Sequence, residues 1–173
     1  LMDCGFGLAD SVARLARLGL QVSDLAGIVV THEHGDHIGG VGRLARKHKL
    51  PVWLTAGTLA MAQDLDGVVV QVIDSHAAFA VDDLEIQPFP VPHDAREPVQ
   101  FVFGDGNRSL GVLTDTGCST PHIETMLSGV DALVLECNHD AAMLENGPYP
   151  VGLKRRVGGR FGHLENSQAA ALL

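Results

Sequence analysis

His32, His34, Asp36 and His37 place four potential metal ligands within the six-residue run His32-Glu33-His34-Gly35-Asp36-His37. An imidazole nitrogen binds a divalent metal at about 2.0–2.1 Å, and a carboxylate can bridge two ions about 3.5–4 Å apart, so this set suits a dinuclear centre. On an extended segment alternate side chains point the same way. His32 and His34 can therefore share one ion while Asp36 and His37 turn toward another, with Gly35 expected to let the backbone make that turn. Gly35, Gly39, Gly40 and Gly42 match neither a Walker spacing nor GxGxxG, and GxSxG is missing, so phosphate-loop and serine-hydrolase chemistry have no support.

Elements must carry these side chains. Leu1-Met2 running into Asp3-Cys4-Gly5 reads as the end of a strand. Leu8, Val12, Leu15 and Leu18 recur at helical spacing with Gly19 as a stop. Ile28 to Thr31 is a β-branched run suited to a buried strand, and it delivers the chain into the histidine cluster. Val41, Leu44, Ala45 and His48 predict a helix. Pro51 separates it from a strand over Val52–Thr55, and a helix over about Thr58–Asp64 leads to a strand from Val68 to Val72. Leu84, Ile86, Phe89, Val91 and His93 then alternate with period two. Phe101–Phe103 and Leu110–Thr114 flank Gly104-Asp105-Gly106-Asn107 as a hairpin. Ile123, Met126, Leu127 and Val130 predict a helix, Leu133–Leu135 a strand, and Gln168–Leu173 the start of an Ala-rich helix. Asp3, His32, His93, Asp115 and Glu136 thereby stand at the C-terminal ends of strands, where ligand sites of α/β sheets gather.

The 173 residues, 46% of them hydrophobic, suffice for one domain over 1–173. A net charge of −9 argues against broad adhesion to nucleic acid or anionic lipid and leaves room for a local phosphate site. Cys4, Cys118 and Cys137 are odd in number and form no CxxC pair, which suggests a reducing, cytoplasmic setting. No apolar run is long enough to span a bilayer, so no membrane partner is expected. The opening on Leu1 and the helix cut off at Leu173 read as a chain truncated at both ends.

The residues from Thr31 to His37, with Asp3, His93 and Asp115, make the sequence resemble the metallo-β-lactamase superfamily of metallohydrolases. Met2-Asp3-Cys4-Gly5-Phe6, Thr114-Asp115-Thr116-Gly117, Glu136-Cys137-Asn138-His139-Asp140, Asn146-Gly147-Pro148-Tyr149-Pro150 and Gly162-His163-Leu164 look like its YycJ/WalJ branch. The branch motif continues Gly-His-Leu-Ser-Asn, and Glu165 stands here in place of the Ser.

The resemblance implies an α/β fold, the four-layer αββα sandwich, lacking here its first strands and last strand. It implies that His32, His34 and His93 bind a first divalent metal, that Asp36 and His37 bind a second, and that Asp115 bridges both. Zn, Mn and Fe all suit such donors. Asp3 would stand behind the ligands and orient an imidazole, and Glu136 is expected in the same supporting role. The activity implied is hydrolysis of phosphodiesters, in nucleic acid as an exonuclease, by a hydroxide generated at the two ions. Asp36 would orient that nucleophile, His163 or His139 would protonate the departing oxygen, and Lys154 and Arg155 would bind phosphate. Thioester or lactone hydrolysis at the same centre is the alternative enzyme reading, and a non-catalytic metal-binding scaffold the alternative from another class. The oligomeric state stays open.

Overall fold

Leu8 and Leu15 of α1 (Leu8–Arg17) and Val41, Leu44 and Ala45 of α3 (Val41–His48) join one hydrophobic core, whereas Val12 and Leu18, expected on the same face of the first helix, are exposed. The computed structural model describes all 173 residues. They fall into two compact units, 1–77 with 95–99, and 78–94 with 100–173.

In the first unit a parallel sheet runs in the order β1 (Ile28–Val29), β2 (Val52–Thr55), β3 (Val70–Ile73). Ile28, Val30, Val41, Leu44, Val52 and Leu54 are its buried centre. Such short, apolar, β-branched strands suit a parallel sheet, and the sequence places both β2 and α3 at their observed bounds. The strand expected from Ile28 to Thr31 is shorter, because Thr31 gives its N–H to the Asp3 carboxylate (2.8 Å) rather than to a neighbouring strand. The opening strand is reduced to a bridge between Met2 and Val29, flanked by Asp3 N–H to Val29 C=O and Val29 N–H to Leu1 C=O, each 2.9 Å. The fourth helix, α4 (Ala56–Met61), starts earlier than expected because Thr55 caps it, accepting from the N–H of Thr58.

The extended reading of the histidine run ends at His34. Gly35–Ile38 forms one helical turn, α2, with His34 at its N-cap. Gly35 needs no special backbone geometry, and a Cβ there would meet nothing within 4 Å. The close approach is made by Gly5 instead, where a Cβ would lie 1.9 Å from the carbonyl oxygen of Asp36.

The second unit carries a sheet ordered β4 (Phe79–Val81), β5 (Leu84–Pro90), β6 (Val99–Gly104), β7 (Ser109–Leu113), β8 (Ala132–Leu135). The β6–β7 hairpin is antiparallel, as its turn residues predict, and β8 joins β7 in parallel after the crossover helix α5 (Pro121–Leu127). Phe89, Val91, Leu113, Ile123 and Leu127 form its core. The strand expected to reach His93 stops at Pro90, since Pro90 and Pro92 have no N–H to donate to a ladder. Two short helices, α6 (Ala141–Asn146) and α7 (Val151–Val157), precede α8 (Asn166–Ala171). No helix is long and apolar enough to cross a membrane.

Candidate metal centre

A relay of hydrogen bonds sets the histidines of the first unit. Asp3 has φ of 53°, a left-handed conformation a non-glycine residue adopts at a cost, and this turns its carboxylate back onto the chain. Oδ1 accepts from the Thr31 N–H and Oδ2 from the Thr31 hydroxyl, both at 2.8 Å. Oδ2 also accepts from His37 Nδ1 at 2.8 Å. The Thr31 hydroxyl proton is spent on Asp3, so at 2.9 Å from His32 Nδ1 its oxygen accepts and the imidazole donates. The lone pair of His32 therefore sits on Nε2, which lies 3.0 Å from His34 Nδ1.

That spacing fits a metal. Two nitrogens that share one ion at ordinary bond lengths are about 2.9–3.3 Å apart, and imidazoles that donate their other nitrogen to a fixed acceptor are the usual metal-binding arrangement. His32 is buried and its ring lies 4.1 Å, centroid to centroid, from that of His37. Asp36 is the outward member, its carboxylate 81% exposed and 3.7 Å from His37 Nε2.

A second donor set belongs to the other unit. His93 follows β5, Asp115 follows β7 and Glu136 follows β8, so parallel and antiparallel neighbours deliver three ionisable groups from the same sheet. His93, its side chain buried, donates from Nδ1 to the carbonyl of Gly162 (3.0 Å) and has Nε2 3.5 Å from Asp94. His163 points Nδ1 at Glu136 (2.7 Å) and at Asp115 (3.2 Å). The other Glu136 oxygen accepts the N–H groups of Thr116 and Leu164, each at 3.1 Å. Glu136 thus ties the Asp115 loop to the His163 loop. Hydrogen bonds to Asp115 and then Glu136 push the His163 imidazole up to about 10, against a smaller opposing effect of burial. Donor atoms of Asp115, Glu136 and His163 lie within 4.8 Å of one another, and with His163 protonated the cluster is an ion-pair network of one imidazolium between two carboxylates. Asp115, like Asp3, is left-handed, with φ of 46°.

The remaining predicted residues make no hydrogen bond to these clusters. His139 is half-buried, with Nδ1 3.3 Å from the amide oxygen of Asn138. Lys154 and Arg155 lie on α7, and the Lys154 ammonium donates to the carbonyl of Glu145 at 2.6 Å. Two supporting residues escaped the sequence reading. Thr31 was visible only as the residue before His32, and Asp94, which binds Arg156 at 2.6 Å, only as the residue after His93.

A family model described as a beta-lactamase superfamily domain matches residues 1–173. The chain is 39% identical over 176 residues to the exodeoxyribonuclease YycJ of Bacillus anthracis, covering 98% of this chain and 66% of that protein. It is 31% identical to the exodeoxyribonuclease WalJ of Streptococcus pneumoniae serotype 2, covering 98% and 65%. The chain thus spans just under two thirds of the length of these relatives. Among solved structures, the metallo-beta-lactamase fold protein YhfI from Bacillus subtilis matches with a TM-score of 0.74 at 18% identity, over 99% of this chain and 66% of that one.

Proposed function

The chain belongs to the beta-lactamase superfamily and is YycJ/WalJ-like in sequence, and on that premise we propose that it is a metal-dependent phosphodiesterase that degrades nucleic acid as an exonuclease. The observation that carries the reading is the clamp on His163. An imidazole whose Nδ1 is held by two carboxylates, Glu136 at 2.7 Å and Asp115 at 3.2 Å, keeps its proton and is positioned as an acid. Departure of a sugar alkoxide needs such a proton, whereas a thiolate, with a parent pKa near about 8.5, leaves a thioester without one. The clamp therefore favours phosphodiesters over thioesters. It also favours His163 over His139, which has only an amide oxygen beside it.

The family pattern assigns His32, His34 and His93 to one ion, Asp36 and His37 to a second, and Asp115 to both. Bound there, divalent ions supply Lewis acidity and water activation at neutral pH. The chain's own residues do the rest. Thr31 and Asp3 hold His32 and His37 in the tautomers that leave a nitrogen lone pair for a metal. Asp36, exposed on its helical turn, would orient a water, and Lys154 and Arg155 would lend positive charge to an otherwise acidic protein. Elemental analysis, with hydrolysis of bis(p-nitrophenyl) phosphate, a single-stranded oligonucleotide and a glutathione thioester in added Mn or Zn, tests the proposal. Two metals per chain and phosphodiester cleavage lost in Asp36→Ala support it. Thioester turnover without phosphodiester turnover replaces it with the other hydrolase reading, and metal without turnover of any ester leaves a scaffold.

A further inference from the structure

His93 is a candidate ligand that its own strand does not hold. β5 stops at Pro90, and Pro90 and Pro92 bring no N–H to fasten the backbone ahead of it. Its ring is fixed instead by the loop after α7: Nδ1 donates to the carbonyl of Gly162 (3.0 Å), and the side chain is only 1% exposed. That carbonyl belongs to a tight turn. Gly162 N–H donates to Gly159 C=O (2.8 Å), Gly159 N–H to Arg156 C=O (3.3 Å) and His163 N–H to Val157 C=O (2.8 Å). A Cβ on Gly162 would stand 2.0 Å from the Arg156 carbonyl oxygen, so the turn moves with Arg156. The Arg156 side chain then closes a circuit. Nε donates to Asp94 Oδ2 at 2.6 Å and Nη2 to Oδ1 at 3.4 Å, and Asp94 follows His93 directly, with Oδ1 3.5 Å from His93 Nε2. Gly117 backs the circuit: its N–H donates to Pro92 C=O (2.8 Å), and a Cβ there would meet the Arg160 carbonyl oxygen at 2.2 Å.

Resting on the metal-dependent reading, we propose that Arg156 is a positioning residue for His93: its two-point grip on Asp94 sets the end of α7 and keeps the Gly162 carbonyl opposite Nδ1, so that Nε2 is the nitrogen offered to a divalent ion. Three observations select this role over phosphate binding for the last cation of the Lys154-Arg155-Arg156 run. The guanidinium is already engaged by a carboxylate, in a fork geometry that a lysine ammonium does not match. The carboxylate it grips adjoins a candidate ligand. The backbone of the same residue carries the turn that accepts from that ligand's ring. The two side chains of the pair are 57% and 33% exposed, and ion pairs so placed add little to folding. Its loss therefore shows in metal affinity more than in stability, as is usual for groups that orient a ligand imidazole.

Zn affinity of the full chain, measured by competition with a chromophoric chelator, tests this without any ester substrate. Arg156→Gln should weaken it about tenfold or more. Arg156→Lys, which keeps charge and length but loses the fork, should weaken it nearly as much and carries the same test if the Gln variant does not fold. Arg108→Gln, which breaks the Arg108–Asp131 pair of the same unit, should leave it unchanged. In a His93→Ala background Arg156→Gln should cost nothing further, because it acts through that ring. In EDTA, a proton–nitrogen correlation spectrum of isotope-labelled protein reads the ring directly. The buried Nδ1–H of His93 should give a slowly exchanging signal that Arg156→Gln loses and Arg108→Gln keeps. Unchanged Zn affinity in Arg156→Gln with that signal intact, or losses that multiply in the His93→Ala background, overturns the proposal. If the signal behaves as expected but the wild type binds no Zn, the clamp on His93 stands and the metal reading falls; Zn bound equally by every variant means the reverse.

Discussion

His163 gathers more of the candidate chemistry than any other single side chain. Replacing it by Ala removes the proposed proton donor but none of the six residues proposed to bind metal, so metal content should hold while kcat for an oligonucleotide drops by about 10²–10⁴. An activated substrate with a p-nitrophenolate leaving group needs less help and should lose much less. Equal losses on both would mean that His163 acts on something other than the leaving oxygen. The same residue gives the metal-free chain a pH signature. Its folded value is raised from the ordinary 6.5 to about 10, so its ion pairs with Asp115 and Glu136 stabilise fully below about 6.5 and are lost as pH rises through about 10. Urea midpoints in EDTA should therefore decline between neutral pH and pH 10 in the wild type, and the decline should be smaller in His163→Gln. Parallel curves for the two proteins would show that the clamp contributes nothing to folding.

At the scale of elements, the turn that bears Asp36 and His37 is shaped from outside itself. Gly5→Ala drives a Cβ onto the Asp36 carbonyl, so it should cost at least about 1–3 kcal/mol in denaturant unfolding and weaken metal binding together. Gly35→Ala, inside the ligand motif, meets open space at a helical position and should change stability by no more than about 0.5 kcal/mol. The reverse ranking would show that the turn is governed by Gly35 after all. This contrast also marks where sequence reading works. Helix α3, strand β2 and the β6–β7 hairpin were legible because burial of one face writes a period of 3.6 or 2 into the residues. Helix α6 buries none of its residues and β4 has three, so neither leaves such a period. The ligand types stand in the sequence, but the relay from Asp3 through Thr31 to His32 joins positions 28 apart through a left-handed backbone that no periodicity announces.

For the whole molecule, the two donor sets have a thermodynamic consequence. Each unit holds imidazoles and carboxylates close together, and an ion bound only by the folded chain shifts unfolding by RT ln(1 + [L]/Kd), about 2.7 kcal/mol at a hundredfold excess over Kd. For a chain of this size that corresponds to a rise in Tm of roughly 5–10 °C. Calorimetry with Zn or Mn, and again after EDTA and desalting, should show that gap. The gap should close on acidification, because imidazole must be neutral to bind and ordinarily takes up a proton near about 6.5. His32→Ala should shrink it at neutral pH, since that residue sits at the centre of the first relay. A Tm indifferent to chelation would remove the ion from the folded state and with it the case for metal-assisted hydrolysis. A gap that persisted undiminished at pH 5 would instead move the binding from the histidines to the carboxylates Asp115 and Glu136.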